Sequence, residues 1–188
     1  MRLLVLAPFA SLSVAIAVVR PPRSDAATVR PKWSDAAIAG SFAPPCPAPE
    51  SHQFDFWIGD WVVTDSTGTK VLGSEHNVAV LGGCAIQENW HGATGADGTS
   101  LNAYIVPAKQ WHQSWIAANG NLLLLDGGFA NGKMVLQGTS AGPKGAVVNR
   151  ITWTPLADGR VRQTWDISTD GGKTWVMSFD GYYTRKAG

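Results

Sequence analysis

Glu88, Gln113 and Gln163 are the polar side chains of this sequence best placed to do chemistry, because each falls in step with large aromatic residues on an alternating segment. Ile86, Glu88 and Trp90 share one parity, as do Trp111, Gln113 and Trp115, and Val161, Gln163, Trp165 and Ile167. Successive side chains of a strand take opposite faces, so each set lies on one face. Arg160, Arg162, Thr164 and Asp166 hold the other parity of the last segment, which assigns the aromatic sets to the inside. A carboxylate enclosed by apolar groups must find partners or stay protonated. The three polar groups therefore either satisfy one another and the backbone, or line a wet pocket and read the polar end of a ligand.

Other chemistry is less well supplied. Glycosidase chemistry needs two carboxylates flanking one cavity, and parity places only Glu88 inside. No Gly-x-Ser-x-Gly elbow is present, and no Ser or Cys has an assignable base. His52, His76, His91 and His112 lack the spacing of a metal site; His76 is read as a core residue facing inward beside Val78 and Val80. The glycine-rich stretches fall in turns rather than between a strand and a helix, so they are not phosphate loops. No catalytic constellation is complete; if the protein is an enzyme, Glu88 is its acid or base.

The elements that position these residues are ten short strand-like segments, near residues 60–65, 70–81, 84–91, 99–107, 110–117, 121–128, 133–140, 146–155, 160–168 and 174–185. Asn119-Gly120, Asn131-Gly132, Asp158-Gly159 and Asp170-Gly171 read as two-residue hairpin turns, since these residues tolerate positive φ. No long amphipathic helix interrupts the series, so the sheet must bury its apolar face against itself, and closing into a barrel removes its edges. The expectation is an all-β, up-and-down antiparallel barrel, with a two-sheet sandwich as the rival. Parity also sends Ile151, Trp153, Trp175, Met177, Phe179, Tyr183 and Arg185 inward, unless Gly181 introduces a bulge. The segment 100–106 is ambiguous, because Asn102 and Tyr104 oppose Ala103 and Ile105; Tyr104 is carried with the pocket candidates. Leu122 to Leu125 has no alternation, which points to burial on both faces or to an oligomer contact such as a homodimer.

Residues 1–26 read as a signal peptide: Arg2 precedes an apolar run, and cleavage falls after Ala17 or after Ala26. An uncleaved anchor is the alternative, the run being near the ~17-residue lower limit for a spanning helix. Residues 27–50 form a Pro- and Ala-rich linker, and the barrel domain occupies 51–186, opening with a helical turn at Ser51-His52-Gln53-Phe54. Export to a periplasmic or extracellular compartment makes one Cys46–Cys84 disulfide the economical use of the two cysteines. With hydrophobic residues at 45% and charged residues at 15%, the chain is a core former rather than a disordered one. A net charge of +1, with scattered Lys and Arg, excludes a nucleic-acid footprint.

Phe54-Asp55-Phe56-Trp57-Ile58-Gly59-Asp60-Trp61, Gly83-Cys84-Ala85-Ile86-Gln87-Glu88-Asn89-Trp90, Trp111-His112-Gln113-Ser114-Trp115 and Ser168-Thr169-Asp170-Gly171-Gly172-Lys173-Thr174-Trp175 together carry a resemblance. Over about residues 46–186 the chain resembles an exported bacterial family of unknown function in the lipocalin-like, or calycin, superfamily. The resemblance implies a barrel of about ten strands with a short N-terminal helical plug, in which Trp61 closes the floor and Arg185 packs over it. Members of the superfamily include carriers of apolar molecules, haem-binding nitrobindin-like barrels and a few cyclase- or hydratase-like enzymes. A haem site of that kind needs a late-strand imidazole, whereas the last histidine is His112, so no cofactor is expected. Residues 168–175 also resemble the Asp-box of sialidase-like propellers, read as a structural turn. The expected function is a binding protein for a small apolar or aromatic molecule, held by Glu88, Trp90, Tyr104, Trp111, Gln113, Trp115, Gln163 and Trp165, with no metal and no stable membrane span after signal cleavage. The alternatives are a calycin-type enzyme using Glu88 and a filled barrel acting through its outer surface.

Overall fold

A computed structural model of the chain describes Cys46 and residues 48–187. The expected signal peptide, and the linker apart from Cys46 and residues 48–50, lie outside the described residues. Ten strands follow one another: β1 (Gly59–Thr64), β2 (Val71–Val80), β3 (Ala85–Gly92), β4 (Gly98–Ile105), β5 (Gln110–Ala117), β6 (Leu122–Ala130), β7 (Lys133–Gly142), β8 (Gly145–Pro155), β9 (Val161–Ser168) and β10 (Val176–Arg185). Each pairs antiparallel with its sequence neighbours and β1 closes on β10, so the sheet is a closed up-and-down barrel and not a sandwich. Among the described residues no helix is long and apolar enough to cross a membrane.

Three hairpin expectations change in detail, and Asp170-Gly171, expected as a two-residue turn, lies within the longer loop 169–175 between β9 and β10. Asn131-Gly132 is a two-residue turn, with φ of 53° and 75° between the paired residues Ala130 and Lys133. Asn119-Gly120 and Asp158-Gly159 instead end three-residue loops, with only the glycine in the left-handed region. The cause is local: the Asn119 and Asp158 side chains accept the backbone N–H two residues on, at 3.0 and 3.1 Å, a bond that holds them at ordinary φ.

One end of the barrel is solid. The 3-10 turns Pro49–His52 and Asp55–Trp57 carry Phe54 and Trp57 into it, and Ser51 is buried within the first turn rather than capping it through its side chain. Phe54 stacks on Trp57 at 4.8 Å and meets Trp111 and Trp153 edge-on at 5.6 and 5.1 Å. Each such pair adds roughly 0.5–1.5 kcal/mol beyond the area it buries. Leu125, Met134 and Leu136 complete this floor without solvent exposure. Trp61 donates its indole N–H to the Trp57 carbonyl at 3.0 Å, and the Arg185 guanidinium lies 4.3 Å from the Trp61 ring while donating to the Ile58 carbonyl. Trp61 and Arg185 face each other across the β1–β10 seam. The Cys46–Cys84 disulfide ties the incoming chain to the turn before β3 across 38 residues, a restraint of about 3–4 kcal/mol in the chain-entropy model.

The alternation is broken at two bulges. Leu72 is the extra residue between the pairs Thr64–Val71 and Val63–Gly73, and Ser178 the extra residue between Met177–Asp166 and Phe179–Trp165. The second corrects the inward assignment of Trp175 and Met177: both lie outside, Trp175 beneath the Arg150 guanidinium at 3.9 Å and Met177 exposed. Beyond the bulge Phe179, Tyr183 and Arg185 return to the inner parity, and Gly181 is no bulge. A Cβ on Gly181 would lie 2.6 Å from the Phe179 ring, so the glycine is there to let that ring cross it. Leu122 and Leu124 are exposed while Leu123 and Leu125 are buried, so this run has one buried face and one apolar outer face.

Candidate functional site

The end opposite the floor opens into a cavity of about 1170 Å³. Its rim is formed by the loops after β1, β3 and β5, and its walls by Trp90, Trp115, Trp165 and Phe179. Glycines on the inner face make room for these rings. A Cβ on Gly73 would lie 2.6 Å from the Trp90 ring, and one on Gly98 would collide with the Trp115 ring. The indoles therefore lie across the wall instead of filling the barrel axis.

Below the rings runs a belt of buried polar side chains: Glu75 and Asn77 on β2, Glu88 on β3, Ser100 and Asn102 on β4, Gln113 on β5, Gln163 on β9 and Tyr183 on β10. Part of the belt satisfies itself. Ser100 Oγ donates to Glu88 Oε2, Asn102 Nδ2 donates to Ser100 Oγ at 2.8 Å, and Gln113 Nε2 donates to Asn102 Oδ1 at 2.8 Å and to Glu88 Oε2 at 3.5 Å. The Tyr183 hydroxyl donates to Gln163 Oε1. Both bonds that Glu88 accepts fall on Oε2, and Glu88 lines the cavity, so Oε1 is the atom left for an occupant. Nearer the mouth, Trp165 donates its indole N–H to Asn149 Oδ1 at 3.0 Å, and Asn149 donates to Ser140 Oγ at 2.9 Å.

Glu75 is different: it is buried and neither carboxyl oxygen has a hydrogen-bond partner. Burial, and next the charge of Glu88, push its carboxyl well above the usual range, against the opposing effect of the nearby Asn77 side chain and Tyr183 hydroxyl, neither of which reaches it in hydrogen-bond geometry. Burial raises Glu88 to about 8 in spite of the Ser100 hydrogen bond, and burial together with the charges of Glu75 and Glu88 raises the Tyr183 hydroxyl well above its ordinary value. Glu88 is thus held largely protonated at neutral pH, and Glu75 is shifted the same way. The indole N–H groups of Trp57 and Trp153 are also buried without partners.

Of the candidates read from the sequence, Glu88, Trp90, Gln113, Trp115, Gln163 and Trp165 come together around the cavity. Tyr104 and Trp111 do not: they pack on each other at 6.3 Å toward the floor, where the Trp111 N–H reaches Gln53 at 3.4 Å. His76 points outward and bonds Asp60 at 2.7 Å, correcting its inward placement. The residues that parity missed are Glu75 and Asn77, whose segment carries its apolar residues Leu72, Val78 and Val80 on the other parity. The usable signal was pairing, since Glu75 stands opposite Trp61 on one neighbour and Trp90 on the other, and paired residues share a face.

Among the described residues no group of three or more His, Cys, Asp or Glu could hold a metal ion. The Asp-box segment is a local turn: Asp170 accepts the Lys173 and Thr174 amides at 3.0 and 2.9 Å, and Gly172 N–H donates to Ser168 Oγ at 2.8 Å. No family model and no curated protein sequence matches the chain.

Proposed function

We propose that this protein is an exported binding protein of the lipocalin-like kind, which takes a small apolar or aromatic molecule into the open end of the barrel. The observation that carries this reading is the cavity of about 1170 Å³ with indole and phenyl walls and the free oxygen of Glu88 at its depth. Ligand sites are mostly apolar clefts of roughly 300–1,000 Å³ with a few placed polar groups, and a room of this kind suits such a molecule. The Cys46–Cys84 disulfide supports an oxidising compartment.

A second reading, a calycin-type enzyme, is favoured by one observation: a carboxyl held near 8 is a competent acid at neutral pH. Glu75 and Glu88 lie on the neighbouring strands β2 and β3, so they share one wall and do not flank a bond from opposite sides. Native mass spectrometry of the protein purified from an oxidising export compartment tests the container directly. The expected result is a discrete non-covalent mass released on denaturation, and Glu88→Gln weakening its rebinding about tenfold. Conversion of that compound, stopped by Glu88→Gln with binding spared, would select the enzyme. A bare polypeptide whose binding of a naphthyl dye is unchanged by Leu123→Trp, which brings an indole into the cavity from its wall, overturns both.

A further inference from the structure

The inside of the barrel is short of positive charge. Two carboxyls, Glu75 and Glu88, stand diagonally across the β2–β3 pair, Glu75 opposite Trp90 and Glu88 opposite Asn77. The one inward-parity base in the described barrel, Arg185, is engaged at the opposite end with the Trp61 ring and the Ile58 carbonyl. Glu75 has two oxygens with no partner, and Glu88 has one oxygen turned to the cavity. An anionic ligand would meet two acidic groups and no enclosed cation; a neutral ligand would leave Glu75 as it is. A cation would supply what both carboxyls lack, and the faces of Trp and Phe attract cations by their ring quadrupoles.

We propose that the occupant is a small organic cation, an aryl- or alkylammonium, whose charged nitrogen sits against Glu88 with Glu75 behind it and whose apolar body lies along Trp90, Trp115, Trp165 and Phe179. This deepens, and rests on, the reading of the cavity as a ligand site. The proton balance follows from the burial of the pair. In the empty barrel Glu88 holds a proton up to about pH 8, while the ammonium requires a carboxylate. Binding therefore forms one ion pair, Glu88 carboxylate with ammonium, and releases one proton from the carboxyl pair to solvent. Affinity for the amine rises about tenfold per pH unit below 8 and levels above it, because the complex holds fewer protons than the separate partners. The other titratable groups that face the site are Glu75 on β2 and the Tyr183 hydroxyl on β10; β4, β5 and β9 present only Ser100, Asn102, Gln113 and Gln163 to Glu88. Lys70 and Asp97 stand at the rim.

The test is calorimetric titration of the disulfide-intact protein at pH 7, in two buffers of different ionisation enthalpy. The probes are matched pairs: 1-naphthylmethylamine with 1-naphthylmethanol, and octylamine with octanol. The expected result is that each amine binds at least tenfold more tightly than its alcohol and releases close to one proton, while the alcohol releases none. Glu88→Gln removes the preference and the proton release, and a cooperative thermal melt shows that the variant is folded; Glu75→Gln lowers the preference. Equal binding of amine and alcohol, or amine binding without proton release, overturns the proposal and leaves the container reading standing. Failure of all four probes to bind overturns both.

Discussion

At the scale of single residues the unusual feature is Glu75, an acid enclosed with no partner for either oxygen. Its burial and that of Glu88 have a consequence for stability that does not depend on any ligand. Both groups have folded values raised above the ordinary carboxylate value; for Glu88, between about pH 4.5 and 8 the folded state holds a proton that the unfolded state has lost, and Glu75 acts in the same direction. Stability is then fully present below the unfolded value and declines as pH rises toward the folded one, by up to about 1.4 kcal/mol per pH unit for each proton. We expect thermal melts to show a midpoint that is highest near pH 5, falls steadily to pH 8 and flattens above it for Glu88. Glu75→Gln, which keeps the shape and removes the titration, should lessen that slope and stabilise the protein at pH 8. An unchanged slope in Glu75→Gln would mean that Glu75 is already ionised and paired at neutral pH. Glu88 was legible in the sequence because its aromatic neighbours in the strand announced the inner face. Glu75 was not, because Val78 and Val80 on its own strand point the other way and only the partners across the sheet reveal its side.

At the scale of elements the strands were legible almost to the residue, the ten expected segments lying within two residues of the observed ends. Turn chemistry and alternation are local properties, and a meander needs little else. What escaped were the bulges at Leu72 and Ser178, since the extra residue is fixed by the mismatch between two neighbouring strands rather than by either alone. The Ser178 bulge turned Trp175 and Met177 outward, and with them went a cavity wall that the sequence had drawn. The loop between β9 and β10 is set instead by Asp170, whose carboxyl is held well below its usual value by its bonds to Thr174, with Ser168 and Lys173 adding to the effect. The wall that exists depends on glycines under the rings, and this can be tested at Gly98, which has an ordinary φ and so carries no backbone strain as alanine. A Cβ there meets the far end of the Trp115 ring and the Ile116 carbonyl, 2.9 Å away. Gly98→Ala should swing the indole toward the barrel axis, weaken cavity binding at least fivefold and lower the melting midpoint by a few degrees. Binding unchanged in a folded Gly98→Ala protein would show that Trp115 does not border the occupied volume.

At the scale of the whole molecule the barrel divides along its axis into a packed half and an open half, and the division follows from where the chain enters. Residues 49–58 deliver Phe54 and Trp57 to the end where β1 begins, so the floor fills with aromatic rings and the opposite end has nothing to fill it. The disulfide fixes the entering chain at that same end, beside the turn before β3. Truncating a side chain of the packed half leaves a void among close neighbours, at a cost of roughly 3–5 kcal/mol for a large aromatic. Truncating one that borders the cavity removes atoms already facing open space on one side, and the loss should be well below that range. Trp57→Ala should therefore abolish cooperative folding or lower the midpoint severely, whereas Trp165→Ala should melt within several degrees of the parent while losing most of its capacity for ligand. The comparison isolates the two halves because Trp57 has no solvent exposure and Trp165 lines the cavity. Equal destabilisation by both substitutions would mean that the open half is closed in solution by its own side chains, and the cavity would then be a property of the barrel at rest and not a place for a ligand.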